Sequence, residues 1–192
     1  MRIFITGGCK NGKSSCAQRI AFKQKTHLNP LYYIATMTAS DDEDRKRIER
    51  HRKEREGLGF ITIEQPNGIE NILEQCDHRG SFLLDSLTAL LANEMFSASG
   101  SFDENAHERI AAGMLKILSC IQNIVIVSDY IYSGALIYDM FTEAYRKTLA
   151  ALDKLAAKNC DAVLEAAYTQ IIAHKGGDLL KNAFDGVLCE IH

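Results

Sequence analysis

The chain has little of what marks a secreted, membrane-spanning or nucleic-acid-binding protein. Its six cysteines (Cys9, Cys16, Cys76, Cys120, Cys160 and Cys189) are scattered, with no C-x-x-C pair and no histidines at zinc spacing nearby. Neither a disulfide framework nor a zinc site is signalled, and the thiols are expected to be reduced and mostly core filler. No apolar run approaches bilayer length, and the first residues lack a basic, apolar and cleavage-site pattern, so the expected location is cytoplasmic, without membrane insertion. Positive charge is not in excess: the formal net charge is −3 and the isoelectric point is near 6.1, giving no general attraction to nucleic acid or anionic lipid. Prolines are scarce as well. Pro30 and Pro66 are the two present, and both fall between expected elements.

With 192 residues, 46% of them hydrophobic, the chain has enough apolar material for one α/β domain. A single P-loop nucleotide-binding domain over 1–192, with 175–192 as a C-terminal extension, is expected. Strand-length apolar runs at Ile3–Thr6, Leu31–Thr36, Phe60–Glu64, Phe82–Asp85, Ile124–Ser128, Ala162–Ala166 and Thr169–Ala173 alternate with helical patterns. Helices are expected over Ser15–Lys25, Asp41–Arg55, Ile69–Gln75, Leu87–Phe96, Glu104–Ile121 and Ile137–Lys158, with a turn or helix near Asp178–Ala183. Such alternation predicts a mainly parallel sheet flanked by helices. Ser97–Asp103, with Gly100 and three serines, reads as a surface loop.

The first strand candidate runs into Gly7-Gly8-Cys9-Lys10-Asn11-Gly12-Lys13-Ser14, which fits G-x-x-x-x-G-K-[ST] at every fixed position. Glycines at both ends let successive backbone N–H groups converge on phosphate oxygens. Lys13 is expected to reach the β- and γ-phosphates, Ser14 to place its hydroxyl on Mg²⁺, and the helix opening at Ser15 to add its N-terminal dipole. GTP or ATP is the expected ligand. Cys9, inside the loop, would sit among donors that lower a thiol pKa, but a redox role is not expected.

Asp85 closes an apolar strand candidate, where open α/β sheets place ligands, and is the leading candidate for the carboxylate that supports Mg²⁺. It could equally cap the helix that starts at Leu87. Asp129 ends another strand candidate and competes for the same duty. Residues 41–55 carry acids first and bases last, as a helix dipole prefers. Such a charge run is usually a solvated face, yet four-residue spacing puts Arg47, His51 and Arg55 on one stripe. Flanking cations favour an uncharged imidazole, whose ring nitrogen can attack phosphorus while the arginines stabilise the phosphate oxygens.

These segments together resemble a known family. Gly7 to Ser14, Tyr33-Ile34-Ala35-Thr36, Asp41-Asp42-Glu43 with Arg47-Ile48-x-x-His51-x-x-x-Arg55, Leu83-Leu84-Asp85-x-Leu87-Thr88 with Asn93, and Val127-Ser128 to Gly134 are similar in order and spacing to the bifunctional adenosylcobinamide kinase / adenosylcobinamide-phosphate guanylyltransferases of cobalamin biosynthesis. The resemblance covers roughly residues 1–175. It implies a RecA-like P-loop fold, a homo-oligomer, and two reactions on a corrinoid acceptor: phosphorylation of adenosylcobinamide, then transfer of GMP from GTP through a histidine-GMP intermediate. It further implies catalytic roles for Lys13, Arg47, His51 and Arg55, phosphate contacts from Gly7, Gly8, Cys9, Lys10, Asn11, Gly12, Lys13, Ser14 and Ser15, metal contacts from Ser14 and Asp85, and guanine reading by Glu64.

The chain departs from the family pattern after Ser128. Asp129-Tyr130-Ile131-Tyr132 stands where the family has Asn-Glu-Val-Gly, Ile137 replaces a proline, Arg146-Lys147 an Arg-Asp pair, and Asp153-Lys154 an Asn-Gln pair. Tyr130 and Tyr132 are therefore expected to reshape the acceptor side. Two alternatives stay open on this reading: a nucleotide-binding module without acceptor chemistry, and a small-molecule kinase with another substrate. Nucleic-acid binding is not expected, because the bases of 45–55 are interleaved with acids and lack an aromatic platform.

Overall fold

The computed structural model describes residues 1–8, 10–26, 28–39, 41–96, 101–132, 136–168 and 170–184. All seven expected strands form: Arg2–Gly7 (β1), Leu31–Ala35 (β2), Phe60–Glu64 (β3), Ser81–Asp85 (β4), Asn123–Val127 (β5), Ala162–Ala167 (β6) and Gln170–Lys175 (β7). They make one sheet in the order β3-β2-β4-β5-β1-β6-β7, parallel except for β7, which returns antiparallel beside β6.

Helices cover both faces: Lys13–Gln24 (α1), Asp42–Glu54 (α2), Ile72–Gln75 (α3, preceded by a 3₁₀ turn at Ile69–Asn71), Leu87–Met95 (α4), Ala106–Cys120 (α5), Met140–Asn159 (α6) and Gly177–Ala183 (α7). Successive strand residues point to opposite faces, so the near-continuous apolar runs fill two cores. Phe4, Ile34, Phe82, Leu84, Ile124 and Ile126 pack with α4, α5 and α6. Ile3, Ile5, Tyr33, Leu83, Val125 and Val127 pack with Cys16, Ala17, Ile20 and Ala21 of α1. Burial pushes the Cys16 thiol up to about 11 and that of Cys160 up to about 12, as expected of inert core thiols. Cys120, by contrast, is exposed.

Side-chain capping sets the starts of two helices. Asp41 precedes α2 and accepts from the Asp44 amide at 2.8 Å, and Asp139 accepts from the amides of Phe141 and Thr142, so α6 starts at Met140 instead of Ile137. In the stretch expected as a loop, Phe102 pairs with Phe96 in an isolated antiparallel bridge; residues 97–100 lie outside the described residues. Residues 185–192 of the C-terminal extension also lie outside them. Among the described residues no helix is long and apolar enough to cross a membrane.

Candidate active site

The parallel strands bring their carboxyl ends to one edge. Pairing aligns Glu64, Ala35, Asp85 and Val127 in a row across β3, β2, β4 and β5, with Ile5 of β1 next along. The strand carrying Asp85 and the strand feeding the phosphate loop are thus separated by β5, a gap of about 10 Å at the usual strand spacing. That gap is wide enough for phosphates and a hydrated ion.

The loop from β1 to α1 depends on its two terminal glycines. At Gly7 a Cβ would collide with the Ala166 carbonyl oxygen, and Gly12 takes a left-handed conformation (φ 77°) immediately before α1. Asn11 ties the loop to β6 by donating to the Ala166 carbonyl at 3.3 Å. Lys13, only 5% exposed, donates to the Gly8 carbonyl at 2.6 Å and pairs with Asp129 Oδ1 at 2.7 Å. A buried ammonium needs such partners. The Asp129 amide in turn donates to Thr88 Oγ1 at 2.8 Å, which fixes this residue against α4.

Asp85 is not the cap of α4. Ser86 is: its hydroxyl accepts from the Ala89 amide, leaving the Asp85 carboxylate to accept from Tyr33 Oη at 3.0 Å. Burial, with the Asp85 carboxylate adding to it, pushes the Tyr33 phenol far up, so the hydroxyl stays a donor. The guanidinium of Arg55 lies 3.8 Å from the centre of the same ring. His51 is on α2, with Nδ1 3.1 Å from Glu54 Oε2.

Two cavities meet at this edge. The smaller, about 550 Å³, is lined by Lys10, Asn11, Gly12, Lys13, Ser14 and Ser15 on one side and by Arg47, Arg50, His51 and Glu54 of α2 on the other. The larger, about 830 Å³, is lined by Tyr33, Arg55, Thr62, Glu64, Thr88 and Tyr145, among others. Arg47, His51, Asp85 and Asp129 line both.

A phosphate loop thus faces an Arg–His helix across a cavity. The family of cobinamide kinase / cobinamide phosphate guanyltransferase matches residues 3–169. The chain belongs to that family. It is 28% identical over 168 residues to the bifunctional adenosylcobalamin biosynthesis protein CobP of Pseudomonas aeruginosa, covering 85% of this chain and 91% of the relative. Identity to the CobU protein of the same description from Salmonella typhimurium is 25% over 174 residues, covering 85% and 93%. Among solved structures, an ATPase domain superposes with a TM-score of 0.51 at 10% identity, covering 92% of this chain and 77% of that one. The fold is the RecA-like P-loop NTPase fold, and the chain is a transferase of cobalamin biosynthesis.

For this member of the cobinamide kinase family, Lys10 to Ser15, Arg47, His51 and Asp85 come together around the smaller cavity, while Arg55 and Glu64 stand in the larger one beyond His51. Gly7 and Gly8 shape the loop from behind, and Cys9 lies outside the described residues. The tyrosines at the positions where the chain departs from the family pattern stand outside the linings of both cavities. The Tyr132 hydroxyl donates to Asp153 Oδ2 at 2.9 Å, the Tyr130 amide donates to the Gly7 carbonyl, and neither ring lines either cavity. The sequence alone did not reveal the contact of Tyr33 with Asp85, the place of Glu54 beside His51, or that Asp129 is the counterion of Lys13. Tyr33 and Ile34 are both buried, so periodicity does not single Tyr33 out, and its pairing with Asp85 depends on β2 neighbouring β4.

Proposed function

We propose that this chain phosphorylates adenosylcobinamide and then guanylylates the product through a covalent GMP adduct on His51. The observation that carries this reading is the shared cavity: the His51 ring, with Arg47 beside it, lines the same space as Lys13 and Ser14. In the first reaction the bond between the terminal phosphorus of a nucleoside triphosphate and its bridging oxygen breaks, and the acceptor hydroxyl oxygen takes the phosphoryl group and gives up its proton. Lys13 and the loop amides hold the phosphates for that displacement. In the second, a His51 ring nitrogen attacks the α-phosphorus of GTP and pyrophosphate leaves. A phosphate oxygen of the acceptor then displaces the imidazole, giving adenosylcobinamide-GDP. Arg47 and Arg55 stabilise negative charge on the phosphate under attack, and Glu64, at the far end of the larger cavity, reads the guanine.

The residues present fit a magnesium ion that arrives with the nucleotide. Ser14 and Asp85 line one cavity, and Mg²⁺ characteristically takes one or two protein ligands and completes its shell with phosphates and water. Among the described residues no group of three His, Cys, Asp or Glu side chains gathers as for a permanently held metal. When bound, the ion would neutralise charge developing on the departing phosphates.

Incubation with Mg-GTP labelled at the α-phosphate tests the reading. The expected product is an acid-labile, base-stable label on the wild type and none on His51→Ala. Turnover of nucleotide with an alcohol acceptor but no label in the wild type would leave only a kinase.

A further inference from the structure

Glu54 lies one turn beyond His51 on α2, and its side chain, 37% exposed, lines the cavity shared with the phosphate loop. Its Oε2 is 3.1 Å from His51 Nδ1, while its Oε1 is 3.9 Å from Arg50 Nε. A carboxylate is an acceptor only, so the nitrogen facing it carries the proton. The His51 ring is held in the tautomer with hydrogen on Nδ1 and the lone pair on Nε2. The His51 side chain is 16% exposed although α2 buries no residue, so the ring leans into the cavity while the helix around it stays solvated.

We infer that Glu54 is the positioning residue for guanylyl transfer: by occupying Nδ1–H it leaves Nε2 as the only nitrogen able to form the bond to GMP. The inference rests on His51 being the nucleophile, as proposed above. The Nε2 lone pair forms the N–P bond to the α-phosphorus as the bond from that phosphorus to its bridging oxygen breaks, and pyrophosphate departs with the electron pair. The ring then bears a positive charge, with its proton still on Nδ1. Glu54 faces that proton and stabilises the charge at the moment it appears, as a carboxylate behind a catalytic imidazole does in acyl transfer. When the acceptor's phosphate oxygen attacks, the N–P bond breaks and its electrons return to Nε2. No proton leaves His51 at any stage. Without Glu54 the ring is free to adopt the other tautomer, which places hydrogen on the attacking nitrogen and blocks it.

Arg50 is the only arginine or lysine paired with Glu54 among the described ion pairs, and Arg47 and Arg55 flank the ring at four residues on either side. Both of these line cavities that His51 also lines, and Glu54 is the one carboxylate paired with the imidazole among the described residues.

The test is single-turnover labelling of the full chain with Mg-GTP labelled at the α-phosphate, read together with ¹⁵N-histidine NMR of the free protein. Glu54→Ala is expected to lower the labelling rate at saturating GTP by at least about 10- to 100-fold, the range found for carboxylates that orient a metal-ligating histidine. The GTP concentration at half-maximal rate stays within about twofold, since Glu54 does not hold the nucleotide. The His51 signals, identified by their loss in His51→Ala, shift from the Nδ1–H to the Nε2–H tautomer. Glu54→Gln, whose carbonyl oxygen still accepts from Nδ1, keeps the tautomer and recovers most of the rate. Labelling of Glu54→Ala at the wild-type rate, or a loss that appears only as a higher GTP requirement, overturns the inference while leaving His51 as nucleophile. A wild-type protein that never takes label overturns both.

Discussion

Lys13 is a buried cation held by one carbonyl and one carboxylate, and each partner carries a different consequence. Removing the ammonium leaves Asp129 as a buried, unpaired charge. Lys13→Ala is expected to lose about 3–5 kcal/mol of stability in urea unfolding as well as nucleotide turnover, and a Lys13→Met, Asp129→Asn double substitution to recover most of the stability and none of the turnover. Asp153 supplies a second test. It is 4% exposed, Oδ1 has no hydrogen-bond partner, and burial pushes its carboxyl from 3.8 up to about 6, with hydroxyls of Ser128 and Tyr132 pulling only part of the way back. The folded chain therefore holds this proton more tightly than the unfolded chain does. The contribution of Asp153 to stability is fullest below about pH 4, falls as pH rises toward 6, and stays lower above it by about 3 kcal/mol. Asp153→Asn, the family residue, is expected to remove that loss: urea unfolding gains about 2–3 kcal/mol over wild type at pH 7 and nothing near pH 4. At this scale the glycines and Lys13 were legible in the sequence because the phosphate loop is local. The partnerships of Lys13 with Asp129 and of Tyr132 with Asp153 were not, because each joins segments that meet only once the sheet and α6 are assembled.

Among the elements, α2 and α5 form a contrast. α5 buries Ala106, Ile110, Gly113, Met114, Ile117 and Leu118, whereas α2 buries nothing and is held by its Asp41 cap and its own charges. Local opening is cheapest where few apolar contacts break. Amides of α2 are expected to exchange with deuterium well before those of α5, and to slow when Mg-GTP places phosphate charge against Arg47 and Arg50. Equal exchange in α2 and α5 would contradict this account. The turn after β4 separates two roles that the sequence left superimposed on one aspartate. Ser86→Ala is expected to cost about 1 kcal/mol by uncapping α4, while Asp85→Asn leaves stability within about 0.5 kcal/mol and lowers turnover, as thermal melts and initial rates would show. The existence of every strand and helix was legible from periodicity. Their ends moved by up to three residues, the largest shift coming at α6, where Asp139 offers its oxygen to free amides.

For the whole molecule, strand order is what turns seven apolar runs into a site. Glu64 and Asp85 flank Ala35, and Asp85 stands one strand away from the phosphate loop, although nothing in the spacing of these residues along the chain dictates it. The order had to come from resemblance or from coordinates. A nucleotide bound at the proposed site touches the loop after β1, β4 and α2 together, so it is expected to stabilise the entire fold. At 100 times its dissociation constant, Mg-GTP should raise unfolding free energy by about 2.7 kcal/mol, measured as a shift of the urea midpoint with unchanged slope. A shift confined to exchange in α2, with no change in the midpoint, would mean that the ligand touches only the helix.

The Lys13–Asp129 contact also sets a threshold for what can enter. Before any visitor arrives, the ammonium is already neutralised by an anion tethered to the chain, so an incoming phosphate group must outcompete a rival whose local concentration never falls. On the proposed site a triphosphate, spread along the loop amides and accompanied by its metal, offers more charge for that exchange than a lone phosphate or a monophosphate does.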